Sequence, residues 1–92
     1  MALTYAAPYP RVIREVTVNP ASIAAASVGE TSVTVPGIKT DMIVAVQADA
    51  LEANLILGQP RVTAANTVAI RIANPTAAPI DPASQTFKFI GF

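Results

Sequence analysis

Residues 67–74 read TVAIRIAN, and their alternation decides the fold class that the sequence predicts. Val68, Ile70 and Ile72 recur at every second position, and small or charged residues stand between them. A hydrophobic period of two is typical of a β-strand that buries one face, whereas an amphipathic helix repeats every 3.6 residues. This stretch therefore predicts a strand with an apolar inner face and a more polar outer face.

The same period recurs through most of the chain, which favours an all-β fold. Four further stretches alternate in this way: REVTVNP at 14–20, TSVTVPG at 31–37, MIVAVQA at 42–48 and TFKFIGF at 86–92. Turn-forming residues separate the stretches at intervals of about ten residues, the spacing expected of a sandwich or barrel. We therefore predict a single small antiparallel β-sandwich or jelly-roll-like barrel over residues 12–92, preceded by an extended N-terminal arm over residues 1–11.

Three details of this fold follow from local patterns. Small or apolar residues occupy both faces of the 42–48 stretch, which indicates a strand that is covered on both sides. Residues 33–46, VTVPGIKTDMIVAV, hold two apolar runs around a short polar corner, and we interpret them as a hairpin. Three prolines within residues 74–84 predict a stiff loop rather than a strand.

Two segments have an ambiguous pattern. Residues 20–27, PASIAAAS, are rich in alanine, which favours a helix, but so short a helix would be marginal. The alternative, which we expect, is an extended segment with Ile23 as a single inward anchor. Residues 49–55, DALEANL, predict a loop with one helical turn, which Asp49 caps with Glu52 at the third position after it.

The arm has a composition that suits protein contact. Its two prolines hold the chain extended and bar a helix, and its two tyrosines combine an apolar ring with a polar tip. The alternative is a frayed chain end of no particular function. The candidate contact residues of the arm are Tyr5, Pro8, Tyr9, Pro10 and Arg11.

Composition narrows the classes of function. The chain has no cysteine and no histidine, which removes disulfides, thiolate chemistry and the commonest general base. Six basic and six acidic residues cancel, and charged residues make up only 13% of the chain, against about 25% in an average domain. A neutral surface of low charge favours self-association. The alternative is a small domain in which alanine alone raises the apolar fraction.

Reactive groups in a catalytic or ligand-binding pattern are not found. The serines have no histidine to activate them, and the spacing of Asp49 and Glu52 is that of a helix cap. The chain has no glycine-rich phosphate loop and no calcium-loop spacing. We therefore expect a protein that is not an enzyme and that uses no cofactor and no metal.

Nucleic acid and membranes are not expected partners. Arg11 and Arg14 form the only basic pair, and Glu15 follows them directly. The N-terminal residues lack the pattern of a signal peptide, and no apolar run is long enough for a membrane helix.

The order of turns and strands resembles that of small virion proteins of tailed bacteriophages. In that group a P-x-S-I-A-A start leads into a strand, a G-[IL]-K turn enters an apolar strand, and R-V-[ST]-A-A-[DN]-T precedes a strand that ends in N-P-T-A-A. The matching elements here are Pro20 with Ser22–Ala25, Gly37–Lys39, Arg61–Thr67 and Asn74–Ala78. The chain departs from the group at Asp41–Met42, where Gly-Asp is common, and at Pro60, which replaces a small residue.

The resemblance implies a structural role on the capsid exterior of a virion, most specifically as a head decoration or cement protein. Such proteins are commonly trimers that sit where capsid subunits meet. The implied partners are copies of this chain, as a homotrimer, and the major capsid protein. The arm lies outside the matching region, and its role as the candidate contact rests on its composition.

The residues alone leave two other functions open. The first is a receptor- or glycan-binding β-module of a phage tail fibre or baseplate. Such sites usually present exposed aromatic side chains, whereas this chain has no tryptophan, and its two tyrosines and three phenylalanines lie near its two ends. The second, a fragment of a carbohydrate-active enzyme, is disfavoured because the chain lacks a candidate acid pair.

Overall fold

A computed structural model describes residues 12–92, so the predicted arm and its candidate contact residues lie outside the described part of the chain. The described residues form seven strands and no helix. The strands are β1 (Val12–Val18), β2 (Ser27–Thr34), β3 (Val44–Ala48), β4 (Ile56–Leu57), β5 (Arg61–Ala64), β6 (Thr67–Asn74) and β7 (Gln85–Gly91). Within residues 12–92, therefore, no helix is long and apolar enough to cross a membrane.

The strands form two antiparallel sheets, which confirms the all-β prediction. The first sheet has the order β1-β7-β3. In the second sheet β6 is central, with β2 along one side and both β4 and β5 along the other. The stretch that decides the fold class, residues 67–74, is therefore the central strand of the second sheet.

The core lies between the inner faces of the two sheets. Phe87 and Phe89 of β7 supply the largest buried side chains from the first sheet, and Val68, Ile70 and Ile72 of β6 face them from the second. All five are nearly inaccessible to solvent, as the alternation predicts. Burial of large apolar side chains is the main favourable contribution to folding of a small domain without disulfides.

The interpretation of residues 33–46 as a hairpin is wrong. β2 pairs with β6 in one sheet and β3 pairs with β7 in the other, so residues 35–43 carry the chain across from sheet to sheet. Val35 and Ile38 are fully buried and close the core at this crossing. Because both side chains must enter the core, the chain cannot fold back beside β2.

Asn66 holds this crossing in place from the β5–β6 turn. Its backbone carbonyl accepts from the N–H of Val35, its N–H donates to the carbonyl of Ile38, and its side-chain oxygen accepts from the N–H of Gly37. Asn66 has φ 62° and Gly37 has φ 94°, in the left-handed region that asparagine and glycine tolerate. Three hydrogen bonds thus join the crossing to a turn that lies far away in sequence.

The two ambiguous segments contain no helix. In residues 20–27 the extended alternative is confirmed: Ile23 is buried and forms an isolated antiparallel bridge with Ile80. Residues 49–55 form the predicted loop with a single hydrogen-bonded turn, from Glu52 to Leu55. The predicted cap is wrong, because the Asp49 side chain pairs with Lys88 and that of Glu52 accepts from the N–H of Ala83.

Candidate functional site, an apolar patch on the first sheet

The outer face of the first sheet carries a group of exposed apolar side chains at the end where β1 begins. Two rows of outward residues form it: Ile13, Ile90 and Ala45 lie side by side in the strand register, and Phe92 pairs with Ile43 through reciprocal backbone hydrogen bonds. We call these five residues the apolar patch.

The apolar patch is open to solvent in the single chain. Ile13 is 61% exposed, Ile43 is 67% exposed and Phe92 is 49% exposed, although each is a large apolar side chain. Apolar side chains that are exposed as a contiguous group, rather than singly, mark interaction surfaces in soluble proteins. The prediction that residues 42–48 are covered on both sides is therefore wrong for the single chain, since Ile43, Ala45 and Gln47 all face outward and are exposed.

A shallow groove of about 240 Å³ lies over β7 at the edge of the patch, between the row of Ile90 and the row of Lys88. Its walls include Ile13, Ile90 and the small side chain of Ala45, and Gln47 and Lys88 lie at its more polar end. A cavity of about 150 Å³ is large enough to hold a benzene ring, so the groove has room for one aromatic side chain. Its combination of apolar walls and polar end matches a side chain with an apolar ring and a polar tip.

The rest of this outer face is polar. Lys88 lies between Glu15 and Gln47 in the register, and its ammonium group is 3.5 Å from a carboxylate oxygen of Asp49. The patch therefore covers one half of the face, and a row with both signs of charge bounds it. A polar border around an apolar centre is the usual composition of a protein interface.

The outer face of the second sheet differs from this arrangement. Glu30 accepts a hydrogen bond from the guanidinium group of Arg61 at 3.1 Å and forms an ion pair with that of Arg71 at 3.3 Å. Arg61 reaches diagonally over β6, and Ala69 beneath it is fully buried although it lies on the outward side of the strand. We call Glu30, Arg61 and Arg71 the charged cluster.

The residues considered for catalysis have structural contacts instead. Asp49 pairs with Lys88, and a carboxylate oxygen of Glu52 accepts from the backbone N–H of Ala83. Among residues 12–92 no three histidine, cysteine, aspartate or glutamate residues come together as a candidate metal site.

Sequence reasoning missed the apolar patch. One signal was present in the TFKFIGF stretch. Lys88, Ile90 and Phe92 share its outward face, where polar residues would be expected throughout, and two of the three are apolar. Their meaning depends on Ile13 and Ile43, which come from strands far away in the sequence. Only the register of β1 and β3 against β7 brings these side chains together.

Comparison of the chain with protein-family models, curated proteins and solved structures gives no match.

Proposed function

We propose that this chain is a structural virion protein that decorates the exterior of a phage capsid and stabilises it by binding between major capsid subunits as a homotrimer. The observation that carries the proposal is the apolar patch, a surface suited to contact with another protein. It lies next to Val12, where the N-terminal arm joins β1.

Charge and sequence pattern give further support. The chain has a net charge of zero and few charged residues, so association with other proteins meets little electrostatic repulsion. The motifs that resemble small phage virion proteins lie at the ends of β2 and β6 and at the crossing between the sheets. A folded two-sheet domain with an apolar contact face can bind two capsid subunits at once and hold them together.

The test is attachment to capsids of a phage whose genome carries the chain. Purified protein mixed with empty capsids should co-sediment and saturate, with bound copies in multiples of three for each contact site. Bound protein should also raise the temperature at which the capsids come apart, because a ligand that binds only the assembled particle stabilises it. A chain that stays in the supernatant at every concentration would contradict the proposal.

The receptor-module function makes the opposite prediction in the same assay. Such a module would leave capsids unbound and would adsorb to host cells, or compete with the phage for them. Among residues 12–92 the one exposed large aromatic side chain is Phe92, and this gives little support for a sugar-stacking site.

A further inference from the structure

We infer that the apolar patch of one copy of this chain binds the N-terminal arm of a neighbouring copy, with Tyr5 in the groove and Leu3 over Ile43 and Phe92. The inference rests on the self-association included in the proposed function, but it does not depend on capsid binding. It names which part of the chain covers the exposed face.

The arm and the patch are chemically complementary. Residues 2–10, ALTYAAPYP, carry no charged side chain, and the five residues of the patch carry none either. Burying the patch under such a segment removes apolar surface from water on both sides and leaves no side-chain charge unpaired. The groove ends at Gln47 and Lys88, which can hydrogen-bond the hydroxyl group of a tyrosine whose ring packs on Ile13 and Ile90.

The spacing of side chains along the arm matches the spacing of the two rows of the patch. The two rows of the patch are successive outward rows of one sheet, so they lie about 6.6–6.8 Å apart. Leu3 and Tyr5 stand two positions apart, and in an extended chain their side chains point to the same side at the same separation. One apolar side chain of the arm therefore fits each row.

The direction in which the arm leaves β1 favours binding to the patch of a neighbouring copy over binding to the patch of its own copy. The arm joins β1 at Val12, directly beside the patch. Ala7-Pro8 and Tyr9-Pro10 favour extended backbone, so the arm would continue away from its own sheet. An extended chain from Tyr5 to Val12 spans about 22 Å, more than the roughly 10 Å from first to third strand of a sheet. To occupy its own groove, the arm would have to reverse close to two prolines.

Cross-linking between copies tests the inference directly, because the chain has no cysteine of its own. Ala6→Cys keeps both tyrosines, and Gln47→Cys places a thiol beside the groove. A mixture of these two variants, treated with a short bis-maleimide, should give a covalent dimer that contains one of each. The matched control is Ala6→Cys with Ser32→Cys, an exposed position on the outer face of the second sheet, and should give no such dimer.

A double variant, Ala6→Cys with Gln47→Cys in one chain, distinguishes an arm that binds a neighbouring copy from an arm that folds back onto its own copy. Cross-links between chains support the inference, whereas a cross-link confined within a single chain overturns it. Equal cross-linking to Ser32→Cys would also overturn it, because the reaction would then report random collision.

Sedimentation velocity gives an independent reading of the same contact. The unmodified chain should be an oligomer, whereas Ile13→Glu, and separately Leu3→Ser with Tyr5→Ser, should weaken association at least tenfold. The matched control is Ile56→Glu, which makes the same change on the other sheet at a residue that is 58% exposed. A monomeric unmodified chain, or equal loss in Ile13→Glu and Ile56→Glu, would overturn the inference.

These results are distinguishable from a failure of the proposed function. A chain that exchanges arms and ignores capsids supports the inference and contradicts the decoration role. A chain that binds capsids and shows no exchange does the reverse.

Discussion

The outward side chains of the first sheet near Val12 include Ile13, Ile90 and Phe92, whereas those at the centre of the second sheet are Glu30, Ala69 and Arg71. The inner faces of the two sheets do not differ in this way, since both bury β-branched or aromatic side chains in one core. Alternation therefore builds both sheets by the same rule. The two sheets differ in whether the side chains on the outer face have partners within the same chain.

On the second sheet, the chain covers the centre of its own outer face, although Val28 and Ile56 stay exposed on either side of Ala73. The charged cluster gives Glu30 two guanidinium partners, and the arginine stem over β6 shields Ala69 from solvent. On the first sheet, the patch has no such cover within residues 12–92. The centre of the second sheet is therefore covered within the single chain, whereas the five-residue apolar patch of the first sheet is a surface suited to contact with another protein.

The largest expected effects lie inside, where the two sheets should behave alike. Phe87→Ala on β7 should lower the free energy of unfolding by about 3–5 kcal/mol, and Ile70→Ala on β6 by about 2–5 kcal/mol. Both residues are fully buried, so each truncation leaves a cavity between the sheets. Denaturant unfolding measures both.

The control for the core prediction is Ile56→Ala, a similar truncation at an exposed position, which should change stability by less than about 0.5 kcal/mol. A loss below about 1 kcal/mol at Ile70 would mean that β6 does not direct this side chain into the core.

The next effects concern two buried side-chain amides, Asn74 at the last position of β6 and Gln85 at the first position of β7. Asn74 of β6 donates to the carbonyls of Ile23, Ala24 and Ala78 and accepts from the N–H and hydroxyl of Thr76. Asn74→Ala should therefore cost roughly 1–3 kcal/mol, because it removes the whole set of side-chain hydrogen bonds and leaves the part-buried N–H of Thr76 without its partner.

Gln85 of β7 makes fewer contacts, since its amide accepts from the N–H of Ala50 and donates to the carbonyl of Ala83. Gln85→Ala should cost about 0.5–1.5 kcal/mol, less than Asn74→Ala. Hydrogen exchange should show faster opening at Thr76 in the first variant and at Ala50 in the second. Equal losses of stability would contradict the view that Asn74 contributes more because its side chain makes more hydrogen bonds than that of Gln85.

How much of this could be predicted from sequence depends on the range of the interaction. The facing of Val68, Ile70 and Ile72 was predictable because alternation is local. The anchor at Ile23 was favoured on the same basis, since a short alanine-rich segment cannot sustain a helix. The crossing at residues 35–43 was not predictable from its own residues, because Asn66 fixes it from 28 or more positions away. Its apolar runs are equally compatible with a hairpin.

The apolar patch has the same difficulty. Each of its residues sits on a strand where one outward apolar side chain is ordinary. The group becomes unusual only when β7 brings Ile13 and Ala45 to either side of Ile90. Register is set by turns and by the core, so a pattern read along one strand cannot supply it.

The smallest expected effect tests the outer faces against each other. Glu30→Gln removes the negative charge that Arg61 and Arg71 share, and it should cost only about 0.2–1 kcal/mol, since all three side chains are substantially exposed. That small loss should shrink further in high salt, because counterions screen exposed charges. Association of the chain should not change, since the charged cluster is satisfied without a partner.

Ile13→Glu should show the converse pattern, with stability of the single chain within about 0.5 kcal/mol of the unmodified protein and association weakened. Urea unfolding and sedimentation on the same two samples would measure both quantities. If Glu30→Gln dissociated the oligomer while Ile13→Glu did not, the two faces would have to exchange roles: the charged cluster would be the contact and the apolar patch an ordinary exposed surface. The pair of variants therefore decides which face of the sandwich meets its partner, independently of what that partner is.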